Sequence, residues 1–322
     1  MQEITSLQNP IIKETTALHQ KKNRAESGMF LIEGIKGVEE ALRCGLEIKY
    51  VFMFPSVIAR RGFSPDAAIC SINYPEEKIY FVDEKILKKI STTETPPEVV
   101  AVAYQKKFVF EDMFASICHS ELDSESIRHG IKSKTLKQVQ GDKLSNSLII
   151  VLENIKDAGN LGTIIRTAKA ANVSGIVLTG ECIDIYNPKV VRSSAANLWK
   201  IPVVYFKETA LIRKEIEKYG QFQFLATKVG DFPCCHSELD SESIQKSQML
   251  KQVQHDNFLY HEIDYNQSTV VFFGSEAEGI SDKLANQADK FIKIPMNEEV
   301  ESLNLSISAG IVMYEAFKQR LT

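Results

Sequence analysis

Three polar clusters in this chain each follow a short apolar run and carry residue types that could bind a ligand or do acid–base chemistry. The first, residues 153–168, follows the run 148–152. Gly159 and Gly162 allow a sharp turn and a close backbone approach. Asn160 both donates and accepts, and Arg166 falls in the first turns of the helix expected to begin here. A helix start with an arginine suits a phosphate or another anion; the same residues also make an ordinary helix start with a surface arginine. The second cluster, 274–279, follows 270–273 and sets Glu276 and Glu278 between Gly274 and Gly279. Two such acids read as a general base, a metal pair or solvated loop charges. The third, 294–306, follows the run ending at Ile294 and places Ser302 and Asn304 where a helix starts. There Ser302 reads as a ligand contact or as a helix cap. No G-x-G-x-x-G occurs, so a dinucleotide fingerprint is not supported.

These clusters need a scaffold that brings them together. The continuous apolar run at 148–152 reads as a strand covered on both faces, and further strands are expected at 175–179, 202–206, 222–227, 270–273 and 291–294. Helices are expected at 161–172, 188–196 and 305–320. Such alternation predicts an open parallel sheet with helices on both sides, whose strand carboxyl ends share one ligand-binding edge. Upstream, helices at 8–22, 38–42 and 84–90 alternate with strands at 29–32, 49–54, 78–82 and 99–104. The expected fold class is α/β throughout, with one domain over 1–106, a linker over 107–146 and a second domain over 147–322.

A near-identical repeat interrupts this pattern. Residues 118–127 recur letter for letter as 235–244, and the copies span 118–142 and 235–256. Both are polar, Ser-rich and without an apolar period, so they cannot bury enough surface to offset chain entropy. They read as tolerated surface insertions, and they resemble the in-frame palindromic repeat elements of some bacterial coding sequences.

Composition narrows the partners. The 322 residues carry a net charge of −4, which excludes a simple polycationic nucleic-acid binder but not a local basic site. Lys13, Lys21, Lys22 and Arg24 form one candidate basic face. Lys156, Arg166, Lys169, Lys189, Arg192 and Lys200 form another near the first cluster. No apolar run approaches the roughly 18 residues of a membrane span, and the N-terminus lacks the pattern of a signal peptide, so a cytoplasmic protein is expected. Cys44, Cys70, Cys118, Cys182, Cys234 and Cys235 form no C-x-x-C pair and no zinc spacing, so reduced thiols and no metal site are expected.

Together the clusters resemble the SpoU/TrmH RNA ribose methyltransferases of the SPOUT superfamily. The resemblance rests on three ordered motifs. Asn160, Gly162, Arg166 and Ala168 carry the first, and Gly-Ser-Glu-x-x-Gly at 274–279 is the second. Ile-Pro-Met at 294–296 with Ser-Leu-Asn-x-Ser at 302–306 is the third. The segment 191–196 resembles a further family element. Ser6, Asn9, Lys21, Lys22, Arg24 and the stretch 30–34 resemble the family's L30e-like substrate-binding domain. The resemblance implies a C-terminal SPOUT fold with a deep trefoil knot, and an S-adenosylmethionine site holding Gly274, Ile294 and Leu303 together with Thr179, Gly180, Pro295 and Met296. It implies a homodimer through the C-terminal domain and methyl transfer to a ribose 2′-hydroxyl of RNA, ribosomal RNA being preferred for the L30e-like domain. Arg166 takes the family's catalytic position, as base or as stabiliser of alkoxide charge. Asn160 and Glu276 would orient it, and Ser302 and Asn304 would hold the ribose or its phosphate. Lys21, Lys22, Arg24 and Arg192 would contact RNA. Ala158 stands where the family often has proline, and Ala195 and Ala196 replace a frequent glycine step. The alternatives are a tRNA-directed enzyme of the same kind or an RNA-binding module without catalysis.

Overall fold

The strands of the computed structural model, which describes residues 2–55, 75–115, 146–228, 257–275, 278–297 and 299–321, fall into two sheets. In the first, β1 (Gln2–Ile4), β4 (Ile79–Val82), β3 (Ile48–Met53), β5 (Val99–Tyr104) and β2 (Met29–Glu33) lie side by side in that order. β1, β4 and β3 are parallel, and β5 runs antiparallel to both β3 and β2. Ile12, Leu18, Phe52, Val82, Leu87 and Val102 pack as one buried cluster of this sheet and its helices.

The second sheet is wholly parallel. Its order is β10 (Asn257–Leu259), β12 (Lys290–Lys293), β9 (Gln223–Thr227), β11 (Thr269–Phe273), β6 (Leu148–Glu153), β7 (Gly175–Thr179) and β8 (Val203–Tyr205). β6, β7 and β11 are buried at every position, as continuous apolar runs require when both faces are covered. The expected parallel sheet is present, and β10 is an edge strand that no apolar run announced.

By its contacts the chain divides into two units that are not contiguous in sequence. One comprises Met1–Phe108, Asp157–Lys169 and Ile183–Ile201; the other comprises Val109–Lys156, Ala170–Cys182 and Pro202–Thr322. Both repeat copies lie outside the described residues, as do Glu276, Cys70, Cys118, Cys234 and Cys235. Cys44 and Cys182 are free thiols.

Three helices depart from the expected bounds for identifiable reasons. The helix expected over 8–22 is two, Pro10–Ala17 and Lys21–Ser27. Asn9 caps the first through the Ile11 N–H, with proline at its first position. The carbonyls at the break are taken by the second helix: Asn23 donates to Ala17 O, and Arg24 donates to Leu18 O and His19 O. The helix expected from Leu161 begins at Ala158 instead, because Asp157 Oδ1 accepts the Asn160 N–H at 2.7 Å. Gly159 and Gly162 therefore sit inside the helix and not at a turn before it. The helix Pro188–Ser193 stops short of Ala196, and Ala195 and Ala196 then take left-handed φ of 48° and 62°.

Candidate functional site

In the second unit, the carboxyl ends of β9, β11 and β12 enclose a cavity of about 510 Å³. Thr227 and Lys228 after β9, Gly274, Ser275, Glu278, Gly279 and Ile280 after β11, and Ile294, Met296, Ser302 and Leu303 after β12 line it. Its remaining walls are largely apolar: Phe273, Phe291, Ile292 and Leu305. Gly274, Ile294, Met296, Leu303 and Ser302 are thus brought together from two motifs. A Cβ on Gly274 would lie 1.9 Å from Gly279 O, so the loop closes only because no side chain is there. Ser275 and Gly279 each donate a backbone N–H to the other's carbonyl at 3.0 Å.

That loop is clamped from the neighbouring strand. Glu153, the last residue of β6 and only 4% exposed, accepts from Ser281 N at 2.8 Å and from Ser281 Oγ at 2.7 Å. In the sequence Glu153 is only the first residue of the first cluster. The signal was there: a carboxylate that ends a wholly apolar strand needs donors close by.

Other expected residues are placed differently. Thr179 and Gly180 end and follow β7, which is separated from β11 by β6, a lateral offset of about 10 Å. They are not in the cavity lining; Thr179 Oγ1 pairs instead with Thr209 Oγ1 at 2.7 Å. Pro295 lies between two lining residues without lining the cavity itself. The cap of the helix Leu305–Gln319 is Asn304, not Ser302: Asn304 Oδ1 accepts from Ser306 N at 2.9 Å and from Ser306 Oγ at 2.6 Å. Ser302 lines the cavity wall.

Asn160 and Arg166 belong to the first unit, on the helix Ala158–Ala170. Arg166 is exposed and Asn160 half-buried. The Asn160 N–H, with Lys189 at 3.5 Å as a lesser cause, holds the Asp157 carboxyl below its ordinary range. Gly162 lets this helix meet the next closely, since a Cβ there would fall 1.9 Å from Ser193 Oγ and 2.8 Å from Val190 O.

The basic face needs correction. Arg24 is 2% exposed, ion-paired to Asp184 Oδ2 at 2.6 Å and bonded to two carbonyls. A cation so enclosed cannot contact RNA; it ties residues 18–24 to 184. Arg192 is engaged as well: its Nη1 donates to Glu33 Oε2 at 2.8 Å and to Thr92 Oγ1. Lys21 and Lys22 are exposed, Lys22 with only a 3.9 Å approach to Glu26. Among the described residues no group of three or more His, Cys, Asp or Glu side chains gathers as a metal site, and no helix is long and apolar enough to cross a membrane.

The model of the SpoU rRNA methylase family matches residues 147–314, and that of an MRM3-like substrate-binding domain matches residues 9–101. The chain belongs to the SpoU rRNA methylase family, and its parallel-sheet region has the SPOUT fold. It is 29% identical over 317 residues to an uncharacterized tRNA/rRNA methyltransferase of Synechocystis, covering 98% of this chain and 94% of that one. It is 26% identical over 314 residues to the 23S rRNA (guanosine(2553)-2′-O)-methyltransferase of Bacillus subtilis, covering 98% of each. Among solved structures, an AdoMet-bound rRNA methyltransferase from Sinorhizobium meliloti superposes with a TM-score of 0.72 at 28% identity, covering 100% of this chain and 99% of that one.

Proposed function

We propose that this protein is an S-adenosylmethionine-dependent RNA 2′-O-ribose methyltransferase acting on ribosomal RNA. The observation that carries the reading is the cavity beyond β9, β11 and β12, where two separated family motifs line one space. The residues present fit the cofactor. Apolar walls suit an adenine ring, and the bare backbone at Gly274 and Gly279 suits the close polar contacts of a nucleoside and an amino-acid tail. When bound, S-adenosylmethionine supplies a methyl group on a cationic sulfur, already electrophilic.

The remaining difficulty is the 2′-hydroxyl, which must be oriented and must lose its proton as the new O–C bond forms. Arg166 meets that need as a fixed positive charge for the developing alkoxide or for a neighbouring phosphate. A guanidinium keeps its proton at physiological pH, which favours this role over that of a base. Asn160 and Glu276 orient it. The Ser302 hydroxyl holds the ribose, and Asn304 fixes the helix start beside it. Lys21 and Lys22 meet RNA phosphates without reading sequence. The reading includes domains meeting within 107–146, a trefoil knot in the C-terminal domain, a cytoplasmic site of action and a homodimer through that domain. The dimer is supported by Ile307 and Tyr314, two turns apart on the last helix and 54% and 50% exposed.

Calorimetry of the full chain with S-adenosylmethionine, and mapping of rRNA 2′-O-methyl groups with and without the gene, test the reading. Arg166→Ala is expected to lower turnover by about 10²–10⁴-fold with cofactor affinity near wild type. A folded chain that ignores the cofactor, or a fully active Arg166→Ala variant, would refute it.

A further inference from the structure

β6 and β11 pair in parallel with Leu152 beside Phe273, so the next residues, Glu153 and Gly274, come side by side at the carboxyl edge of the second unit's sheet. Glu153 is 4% exposed and does not line the cavity there. A carboxylate buried this far needs donors, and one residue supplies both. The Ser281 N–H donates to Oε2 at 2.8 Å, and the Ser281 hydroxyl donates to Oε1 at 2.7 Å. Ser281 is also the residue before the helix Asp282–Ala285, where a serine ordinarily caps the helix with its own oxygen. Here it makes no such side-chain bond. Its hydroxyl is committed to Glu153 instead.

We infer that Glu153 is a positioning residue for S-adenosylmethionine: it pins Ser281 so that Gly279 and Ile280 stand in the cavity wall before the cofactor arrives. The inference rests on the methyltransferase reading above. Gly279, Ile280 and Ala285, on either side of Ser281 in the chain, all line the cavity. Gly279 has a φ of 67°, and the loop it shares with Gly274 closes through two peptide hydrogen bonds. A loop ended by two glycines has wide backbone freedom and opens readily unless its far end is held. Holding it in advance removes an ordering cost that cofactor binding would otherwise bear. Bonds to a carboxylate are stronger than neutral ones, which suits that task. Both oxygens of Glu153 are occupied by Ser281, so the acid acts on the cofactor through the loop and not by direct contact.

Glu153→Met keeps the length of the side chain and removes both acceptors. Calorimetry of the full chain is expected to show S-adenosylmethionine bound about tenfold more weakly, with kcat at saturating cofactor near wild type. In Glu153→Gln the amide oxygen can accept the N–H and the NH₂ can donate to the hydroxyl, so most of that loss should be recovered. Ser281→Ala removes one bond and should weaken binding about threefold. In the Glu153→Met background the same change should add nothing, because the acid acts through Ser281. In the cofactor-free chain, exchange of the Ser275 and Gly279 amides should quicken about tenfold in Glu153→Met. Unchanged affinity in Glu153→Met or, should that variant not fold, in Ser281→Ala would overturn the inference. So would a lowered denaturation midpoint with affinity and amide exchange unmoved. Failure of the wild-type chain to bind S-adenosylmethionine would instead overturn the methyltransferase reading, and the exchange measurement would still decide whether Glu153 holds the loop.

Discussion

A methyl group at Gly274 would land 1.9 Å from a carbonyl oxygen, whereas at Arg192 a long side chain reaches across to Glu33 and holds two segments together through charge. The cavity is shaped by backbone: strand ends, a loop closed by paired peptide groups, and walls that are mostly apolar. The first unit is held by side chains. Arg24 with Asp184, Glu33 with Arg192 and Glu40 with Lys200 join residues 24–40 to 184–200. A backbone-built site resists most side-chain changes and fails when a side chain is added. A charge-built one fails when a partner is removed.

Adding one carbon is the strongest way to break this contrast. Gly274→Ala should lower S-adenosylmethionine affinity by about 100-fold or more, because the displaced group is backbone that cannot rotate away. Calorimetry showing wild-type affinity would mean that backbone does not shape the site. Next comes the removal of one charge. Asp184→Ala leaves Arg24 buried with only two carbonyls, and about 3 kcal/mol of stability should be lost in denaturant titrations. A neutral outcome would show that the pair holds nothing. A smaller and opposite effect is expected at Ala195, whose φ of 48° is costly for a residue with a Cβ. There Ala195→Gly should stabilise by up to about 1 kcal/mol, read from the same titrations. The smallest effect is a pH dependence at Asp157. Its carboxyl lies below its ordinary value of 3.8, chiefly through the Asn160 N–H. Its advantage over Asp157→Asn is therefore full above that value and fades as pH falls through the lowered one. Melts of the two proteins between neutral and strongly acidic pH should converge at the acidic end.

Legibility in the sequence followed the same division. β6, β7 and β11 could be read because strands covered on both faces are unbroken apolar runs. The loop from Gly274 to Gly279 and the segment from Ile294 to Leu303 were legible as polar clusters at strand ends. β1 and β10, three residues each, are too short to show a period. Thr179 and Gly180 were correctly placed at a strand end, but the interposition of β6 is set by topology, which no local pattern records. Arg24 looked like its neighbours Lys21 and Lys22 because nothing local marks a partner 160 positions away. Nothing in the sequence marks Asp157 as a cap, since the glycines after it suggest a later helix start.

The strand order also sets a timetable for synthesis. β6 lies between β7 and β11, and Ser147 N donates to Ser268 Oγ across 121 positions of chain. At about 5–20 residues per second, β6 leaves the ribosome roughly 6–24 s before β11 can pair with it. The second repeat copy, 235–256, lies inside that interval and lengthens it. Until β11 arrives, Leu148, Ile150 and Leu152 lack the neighbour they have in the finished sheet. Chaperone demand during translation should therefore be greatest while the chain grows from about residue 153 to residue 273.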